Sequence, residues 1–185
     1  EEAVRAGIDT LIFVTGRNKR AIEDHFDTNI ELEAVLREMG KGTEADMVNN
    51  ILNKDVQCVF VRQPKQLGLG HAVLCAEKVI NNEPFAVILA DDFLVTEQTG
   101  VVSELANAFN RSGHSQLSVL QVDGPEISNY GVVRKGSQKR KIEGIIEKPK
   151  KEDAPSNLAS IGRYVLSPTI LDILKTQKAG LGGEI

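Results

Sequence analysis

No CxxC pair, no cysteine-rich spacing and no long apolar run marks this chain. Its two cysteines, Cys58 in a strand-like run and Cys75 in a helix-like one, indicate neither a zinc site nor a disulfide framework, and both are expected as buried, reduced thiols. The longest apolar run, Phe85 to Ala90, is far too short to cross a bilayer, and no charged-then-apolar segment opens the chain, so a cytoplasmic protein without a membrane partner is expected. A basic excess is missing as well. With 22 Lys and Arg against 26 Asp and Glu, a net charge of -4 and a pI near 5.5, the chain has no footprint for phosphate backbones, which excludes a general nucleic-acid binder and favours a small-molecule partner. Internal repeats and low-complexity tracts are absent too. What is present is ordinary for a globular protein: 185 residues, 41% hydrophobic and 26% charged, enough for a sizeable core in one domain or most of one.

Strand-like and helix-like patterns alternate through the first part. Glu1 to Ile8 reads as the end of a helix stopped at Gly7, running into a strand over Thr10 to Thr15. A short helix follows in which Ile22 and Phe26 share a face. Thr28-x-x-Glu31 has the spacing of a capping box and opens a helix whose Leu32, Val35, Leu36 and Met39 make one buried stripe, closed by Gly40. Met47, Val48, Ile51 and Leu52 repeat the stripe, which places both methionines in the core. Strand VQCVFV, a helix over Ala72 to Ile80, strand FAVILA and a helix over Val101 to Phe109 continue the alternation. Near-continuous apolar strands of this kind belong to a mostly parallel sheet covered by helices, a doubly wound α/β core.

From Gln116 the texture changes. LSVLQV, YGVVR, KIEGIIEKP and ASIGRYVL are strand-like pieces separated by Gly, Pro, Asn and basic turns, with one helix, Pro168 to Lys175, behind them. The chain is expected as a single incomplete domain over 1–185, with an α/β half at 1–115 and a β-rich half at 116–185. Lys135 to Lys141 reads as a solvated hairpin tip rather than a phosphate-binding patch.

In open α/β sheets ligands bind outside the carboxyl ends of strands, which directs attention to the residues after VQCVFV and FAVILA. The first loop holds Gln63, whose amide both donates and accepts and so suits the edge of a pyrimidine base, and Gly68, whose missing side chain lets backbone approach a flat ring. The second holds Asp91 and Asp92, hard oxygen donors suited to Mg²⁺ bound through one or two carboxylates plus substrate phosphates. Glu147-Lys148-Pro149 then puts a carboxylate able to accept from sugar hydroxyls beside an ammonium able to meet a phosphate. Each feature alone also fits plain turn or surface chemistry. The order Gln…Gly, Asp, Tyr-Gly-Val-Val, Glu-Lys-Pro is far rarer than any member.

AGIDTLIFVT, IEDHFDTNIELEAVL, VRQPKQLGLGHAVLCA, FAVILADDFL, SGHSQLSVLQV, NYGVV, IIEKPKKEDAPSNLASIGRYVLSP and GGEI together resemble the sugar-phosphate nucleotidyltransferase family, and within it the bacterial UTP-glucose-1-phosphate uridylyltransferases. The resemblance runs over essentially the whole length. It implies a Rossmann-like nucleotidyltransferase core whose 1–115 half binds nucleotide and whose 116–185 half binds sugar phosphate. Implied too are UTP and glucose 1-phosphate as substrates, UDP-glucose and pyrophosphate as products, Mg²⁺ as cofactor, and a homo-oligomer in the full-length parent. By the same resemblance Gln63 and Gly68 read the uracil, Asp91 holds Mg²⁺, Tyr130 and Gly131 line the sugar, Glu147 fixes glucose hydroxyls and Lys148 meets the sugar phosphate. Asp91 and Lys148 are then the catalytic pair. Asp92 reads as a turn residue, His71 as structural, and His25 and His114 have no partner spacing. Glu184 in GGEI is given no role.

The resemblance also implies missing parts. The family's first strand and its glycine-rich triphosphate loop belong before Glu1, and its second metal-binding aspartate beyond Ile185, so residues 1–185 alone are expected to be inactive or nearly so. Two alternatives stay open. A glucose-1-phosphate thymidylyltransferase differs by one methyl on the base, worth about 1–3 kcal/mol, although the long insert from Glu31 to Asn53 favours the uridylyl reading. A noncatalytic sugar-nucleotide-binding relative would keep the pocket without the phosphate loop.

Overall fold

A computed structural model describes residues 1–96, 99–180 and 183–185. Along the first stretch run α1 (Glu2–Arg5), β1 (Thr10–Thr15), α2 (Arg20–Phe26), α3 (Ile30–Glu38), α4 (Gly42–Asn49) and β2 (Gln57–Arg62). Next come α5 (Gly68–Cys75), α6 (Glu77–Ile80), β3 (Phe85–Ile88), α7 (Val101–Ser112), β4 (Gln116–Gln121) and β5 (Gly131–Lys135). The chain continues through β6 (Ile142–Glu147), β7 (Leu158–Leu166) and α8 (Thr169–Thr176). Helices and strands alternate as an α/β chain should. The expected helix over 72–80 is two helices, because the chain stops and restarts at Ala76. Among the described residues no helix is long and apolar enough to cross a membrane.

Contacts gather the chain into two compact units, Gly7–Asn82 with Pro168–Ile185, and Glu1–Ala6 with Glu83–Ser167. The divisions therefore fall at 6/7, 82/83 and 167/168, not at the change of texture near 115/116.

In the first of these, β1 and β2 pair in parallel from Thr10↔Gln57 to Thr15↔Arg62. Phe13 and Phe60 stack across that pair at 5.2 Å, and Phe26 of α2 closes over Phe13 at 4.7 Å. Three aromatic rings thus seat α2 on the sheet. The start of α3 differs from the expected capping box. Asn29, not Thr28, is the cap, its Oδ1 accepting from Leu32 N–H at 2.9 Å; the chain reaches helical geometry one residue later than the Thr-Glu spacing requires. Asn29→Ala is expected to destabilise this unit by about 1 kcal/mol in denaturant unfolding. The methionine stripe is also corrected. Met39 and Met47 are 62% and 69% exposed, and Leu32, Val35 and Ile51 are exposed with them, while Leu36 and Val48 are half-buried and Ala45 is buried between α3 and α4. Arg37 ties the two helices on the surface by bonding Glu33 and Asp46. Periodicity identified a common apolar face; it could not say that anything covers it. Both cysteines are free and half-buried rather than fully buried, and partial burial raises the Cys58 thiol pKa.

In the other unit all strand pairs among the described residues are antiparallel, which corrects the expectation of a mostly parallel sheet: among those residues parallel pairing is confined to β1 and β2. An apolar strand reports burial of both faces and says nothing of its neighbour's direction. The organiser is β7, nine residues long. Val165 pairs with both Gln116 of β4 and Ala86 of β3, and Ala159 pairs with both Leu120 of β4 and Val132 of β5. So β4 occupies one edge of β7, and β3 and β5 share the other. On that shared edge β3 leaves at Ile88↔Arg163 and β5 enters at Val132↔Ala159, a gap of about 13 Å along β7. The β5–β6 hairpin, closed by Gly136 N–H to Lys141 C=O at 2.7 Å, has the exposed basic tip the sequence suggests. Ile127, Val132 and Ala159 form a buried cluster beneath it, with Tyr130 packed against them.

Candidate functional site

The interrupted edge of β7 collects most of the residues singled out from sequence. Leu89, the first residue past β3, still donates its N–H to Gly162 C=O at 2.9 Å, so the turn over 89–92 emerges into the gap. Asp91 on that turn is exposed and Asp92 half-buried. Tyr130 and Gly131 enter β5 at the far side of the same gap. One strand further, Gly131 pairs with Glu147, the last residue of β6, and Lys148 N–H donates to Tyr130 C=O at 3.0 Å. Backbone pairing therefore sets Tyr130, Gly131, Glu147 and Lys148 at one end of a hairpin, beside the mouth where the Asp91 turn lies.

Glu147 and Lys148 are largely exposed, with Oε1 and Nζ 4.0 Å apart. An ion pair that open contributes little to stability, which leaves both heads available to a ligand. Lys148 has φ of 43°, a left-handed backbone uncommon for a residue with a Cβ.

Within the gap β7 carries Gly162 with φ of 50°, a bend out of regular extended geometry. A Cβ there would run into Asp92 Oδ2 and lie 2.9 Å from Leu89 Cβ, so only glycine lets the Asp turn pack this close. On the opposite edge the register of β4 slips between Leu117 and Val119. Ser118, buried at the slip, turns its hydroxyl to Ile161 C=O (3.1 Å) and Arg163 C=O (3.2 Å), the carbonyls either side of the bend.

Arg163, Glu2, Gly162 and Ser118 were not singled out from the sequence. Arg163 is only 4% exposed; its Nε donates to Glu2 Oε2 at 3.0 Å, Nη2 to Asp92 C=O at 2.8 Å, and Nη1 to Leu89 C=O and Gly162 C=O at 3.2 Å each. Glu2 in turn accepts from Val102 N–H, in the first turn of α7, at 3.2 Å. A lone arginine in the apolar run ASIGRYVL was the available clue, since a buried guanidinium requires partners.

Gln63 and Gly68 belong to the unit built on β1 and β2. Gln63 follows β2, its N–H bonded to Thr15 C=O at 2.9 Å, which sets it at the carboxyl end of the parallel pair. Its amide nitrogen donates to Gly68 C=O at 3.0 Å and meets His71 Nδ1 at 3.1 Å. Because a carbonyl only accepts, the nitrogen must face Gly68; His71 then accepts through Nδ1. Gly68, with φ of 90°, is also closely packed by residues that the sequence did not place beside it. A Cβ there would meet Glu184 Cβ at 2.8 Å and Ile185 C=O at 2.9 Å, because residues 183–185 dock on this loop through Ile185 N–H to Leu67 C=O (2.8 Å) and Gly70 N–H to Ile185 C=O (2.7 Å). Glu184 thereby acquires a place, packed over Gly68; Gly182 of GGEI lies outside the described residues.

As a metal centre the turn over 89–92 offers one exposed carboxylate, Asp91; among the described residues no group of three or more His, Cys, Asp and Glu could hold a metal ion. That donor set fits Mg²⁺ shared with substrate phosphates and does not fit a cation held by protein alone.

Residues 1–182 match the family model described as nucleotidyl transferase. The chain is 47% identical to a UTP--glucose-1-phosphate uridylyltransferase of Staphylococcus haemolyticus over its whole length, which spans 65% of that relative. It superposes with a TM-score of 0.89 and 41% identity on an apo UDP-glucose pyrophosphorylase, covering 100% of this chain and 68% of that one. A UTP-bound UGPase from Acinetobacter baumannii matches with a TM-score of 0.86 and 38% identity, covering 95% of this chain and 64% of that one.

Proposed function

Because the chain belongs to the nucleotidyl transferase family, we propose that the protein transfers a uridylyl group from UTP to glucose 1-phosphate, giving UDP-glucose and pyrophosphate. What supports this reading is the register along one edge of β7, where β3, which leads into the Asp91 turn, pairs at one end and the β5–β6 hairpin end bearing Tyr130, Gly131, Glu147 and Lys148 pairs further along. The names of the similar proteins, uridylyltransferase and UDP-glucose pyrophosphorylase, supply the substrates.

In this reading a phosphate oxygen of glucose 1-phosphate attacks the α-phosphorus of UTP in line, and the bond to pyrophosphate breaks. No protein nucleophile is required. Two anions must instead be held together, so positioning and positive charge do the catalytic work. Lys148 brings an ammonium to the sugar phosphate, Glu147 accepts from glucose hydroxyls, and Tyr130 and Gly131 form the wall beside the ring. Asp91 would hold Mg²⁺, which when bound supplies charge against the nucleotide phosphates. Gln63, its nitrogen committed to Gly68 and His71, presents Oε1 to the N–H of a uracil edge.

Pyrophosphate release from the complete polypeptide, given Mg²⁺, glucose 1-phosphate and each nucleoside triphosphate in turn, tests the reaction. UTP should lead. A faster rate with dTTP would move the assignment to a thymidylyltransferase, and UDP-glucose binding without any turnover would leave a noncatalytic relative. Gln63→Leu should weaken UTP binding about 10- to 100-fold, the cost of an unmade hydrogen bond, while KM for glucose 1-phosphate stays put; calorimetric titration with UTP decides it.

A further inference from the structure

We propose that Arg163 is a positioning residue for Asp91: its guanidinium, backed by Glu2, grips the main chain on both sides of that aspartate and sets where the carboxylate is presented. The inference rests on reading Asp91 as the carboxylate that holds the metal.

Arg163 stands in an apolar strand with 4% of its surface exposed. An apolar side chain of similar volume would ordinarily stabilise such a place as well or better, because a buried ion pair loses most of its attraction to desolvation. Stability alone is therefore no reason for an arginine here. What only arginine provides is a planar fork with five N–H donors, and the fork is spent on backbone. Nη1 reaches Leu89 C=O and Nη2 reaches Asp92 C=O, the two carbonyls that bracket Ala90 and Asp91. Neither bond touches the Asp91 side chain, which stays exposed. The turn is held while its carboxylate is left free, the arrangement expected of a group supporting a metal ligand from behind.

Two further contacts fix the fork itself. Glu2 neutralises it through Oε2 and is anchored through Oε1 to Val102 N–H of α7, so the guanidinium is oriented from the side away from the turn. Gly162 C=O accepts both from Nη1 and from Leu89 N–H, joining strand, fork and turn at one atom. Lysine, a flexible point charge, could keep the charge but not span both carbonyls.

Arg163→Lys in the complete polypeptide separates fork from charge. Binding of Mn²⁺ in the presence of UTP, read from the electron paramagnetic resonance of free Mn²⁺, should weaken about 10- to 100-fold, and amide hydrogen exchange over residues 89–92 should quicken. Asp91→Asn should weaken Mn²⁺ binding without quickening that exchange. If Asp91→Asn binds Mn²⁺ like the parent, the reading of Asp91 fails and takes the inference with it. If Asp91→Asn loses binding while Arg163→Lys keeps parental affinity, Asp91 stands and the clamp is overturned. Should Arg163→Lys not fold, Glu2→Gln decides: it keeps an acceptor for Val102 N–H but sets an amide against the guanidinium, so weakened Mn²⁺ binding supports the clamp and parental binding overturns it.

Discussion

Gly162→Ala is expected to lower turnover about 100-fold, the usual consequence of displacing a reacting group by about 1 Å, and to destabilise the unit formed by Glu1–Ala6 and Glu83–Ser167. Two physical effects combine. With φ at 50°, alanine in place of glycine costs about 1–2 kcal/mol. The Cβ would also collide with Asp92 Oδ2 and press on Leu89 Cβ at 2.9 Å, and the cheapest relief is to push the turn over 89–92 away from β7. That movement would pull Leu89 N–H from Gly162 C=O and Asp92 C=O from Arg163, shifting Asp91 although the mutation never touches it. Gly162→Asn separates the effects: asparagine tolerates the left-handed backbone but carries the same Cβ, so it should recover only the backbone part of the lost stability in denaturant unfolding and not recover turnover. Parental activity in both variants would mean that close packing of the turn on β7 is irrelevant to the reaction.

Lys148→Ala should leave folding intact and lower kcat/KM for glucose 1-phosphate by about 100- to 1,000-fold, the range for loss of one group stabilising transition-state charge. The ammonium is 65% exposed and 4.0 Å from Glu147, so its removal releases no buried partner and the thermal midpoint should not move. UTP binding by calorimetry should be unchanged, because on this reading Lys148 acts on the sugar phosphate alone. The backbone gives a further reason to single out this lysine. It holds φ of 43° directly before Pro149, a conformation that costs of order 1–3 kcal/mol and persists where surrounding structure enforces it; here the bond from Lys148 N–H to Tyr130 C=O enforces it. Unaltered kcat/KM in Lys148→Ala would remove this residue from the mechanism.

Particular elements show how far the sequence could be read. The strand over Thr10 to Thr15 ends where its pattern ends, and the hairpin around Lys135 to Lys141 forms as its polarity implies. These features depend on residues close together in the chain. The stripe of Leu32, Val35 and Met39 was visible as a stripe, but its exposure was not, since burial depends on a neighbour that the period of a helix does not encode. For Gly68 the glycine was noticed but its distant neighbours were not. The space it leaves is faced by Glu184 and Ile185, more than a hundred residues further on.

The same division runs through the candidate site. Residue type, order and spacing alone determined the α/β class, the family resemblance, and which carboxylate, amide and ammonium to watch, because local chemistry and strand-end position are written in short segments. Only the tertiary structure decided that β3 and β5 share one edge of β7, that Gly162 lies in the gap between them, and that a buried Arg163, paired with Glu2, bonds the backbone either side of Asp91. Those facts join residues 2, 89–92, 118, 131 and 158–166, whose proximity follows from sheet register and close packing, and no local pattern of side chains specifies which edge a strand will find.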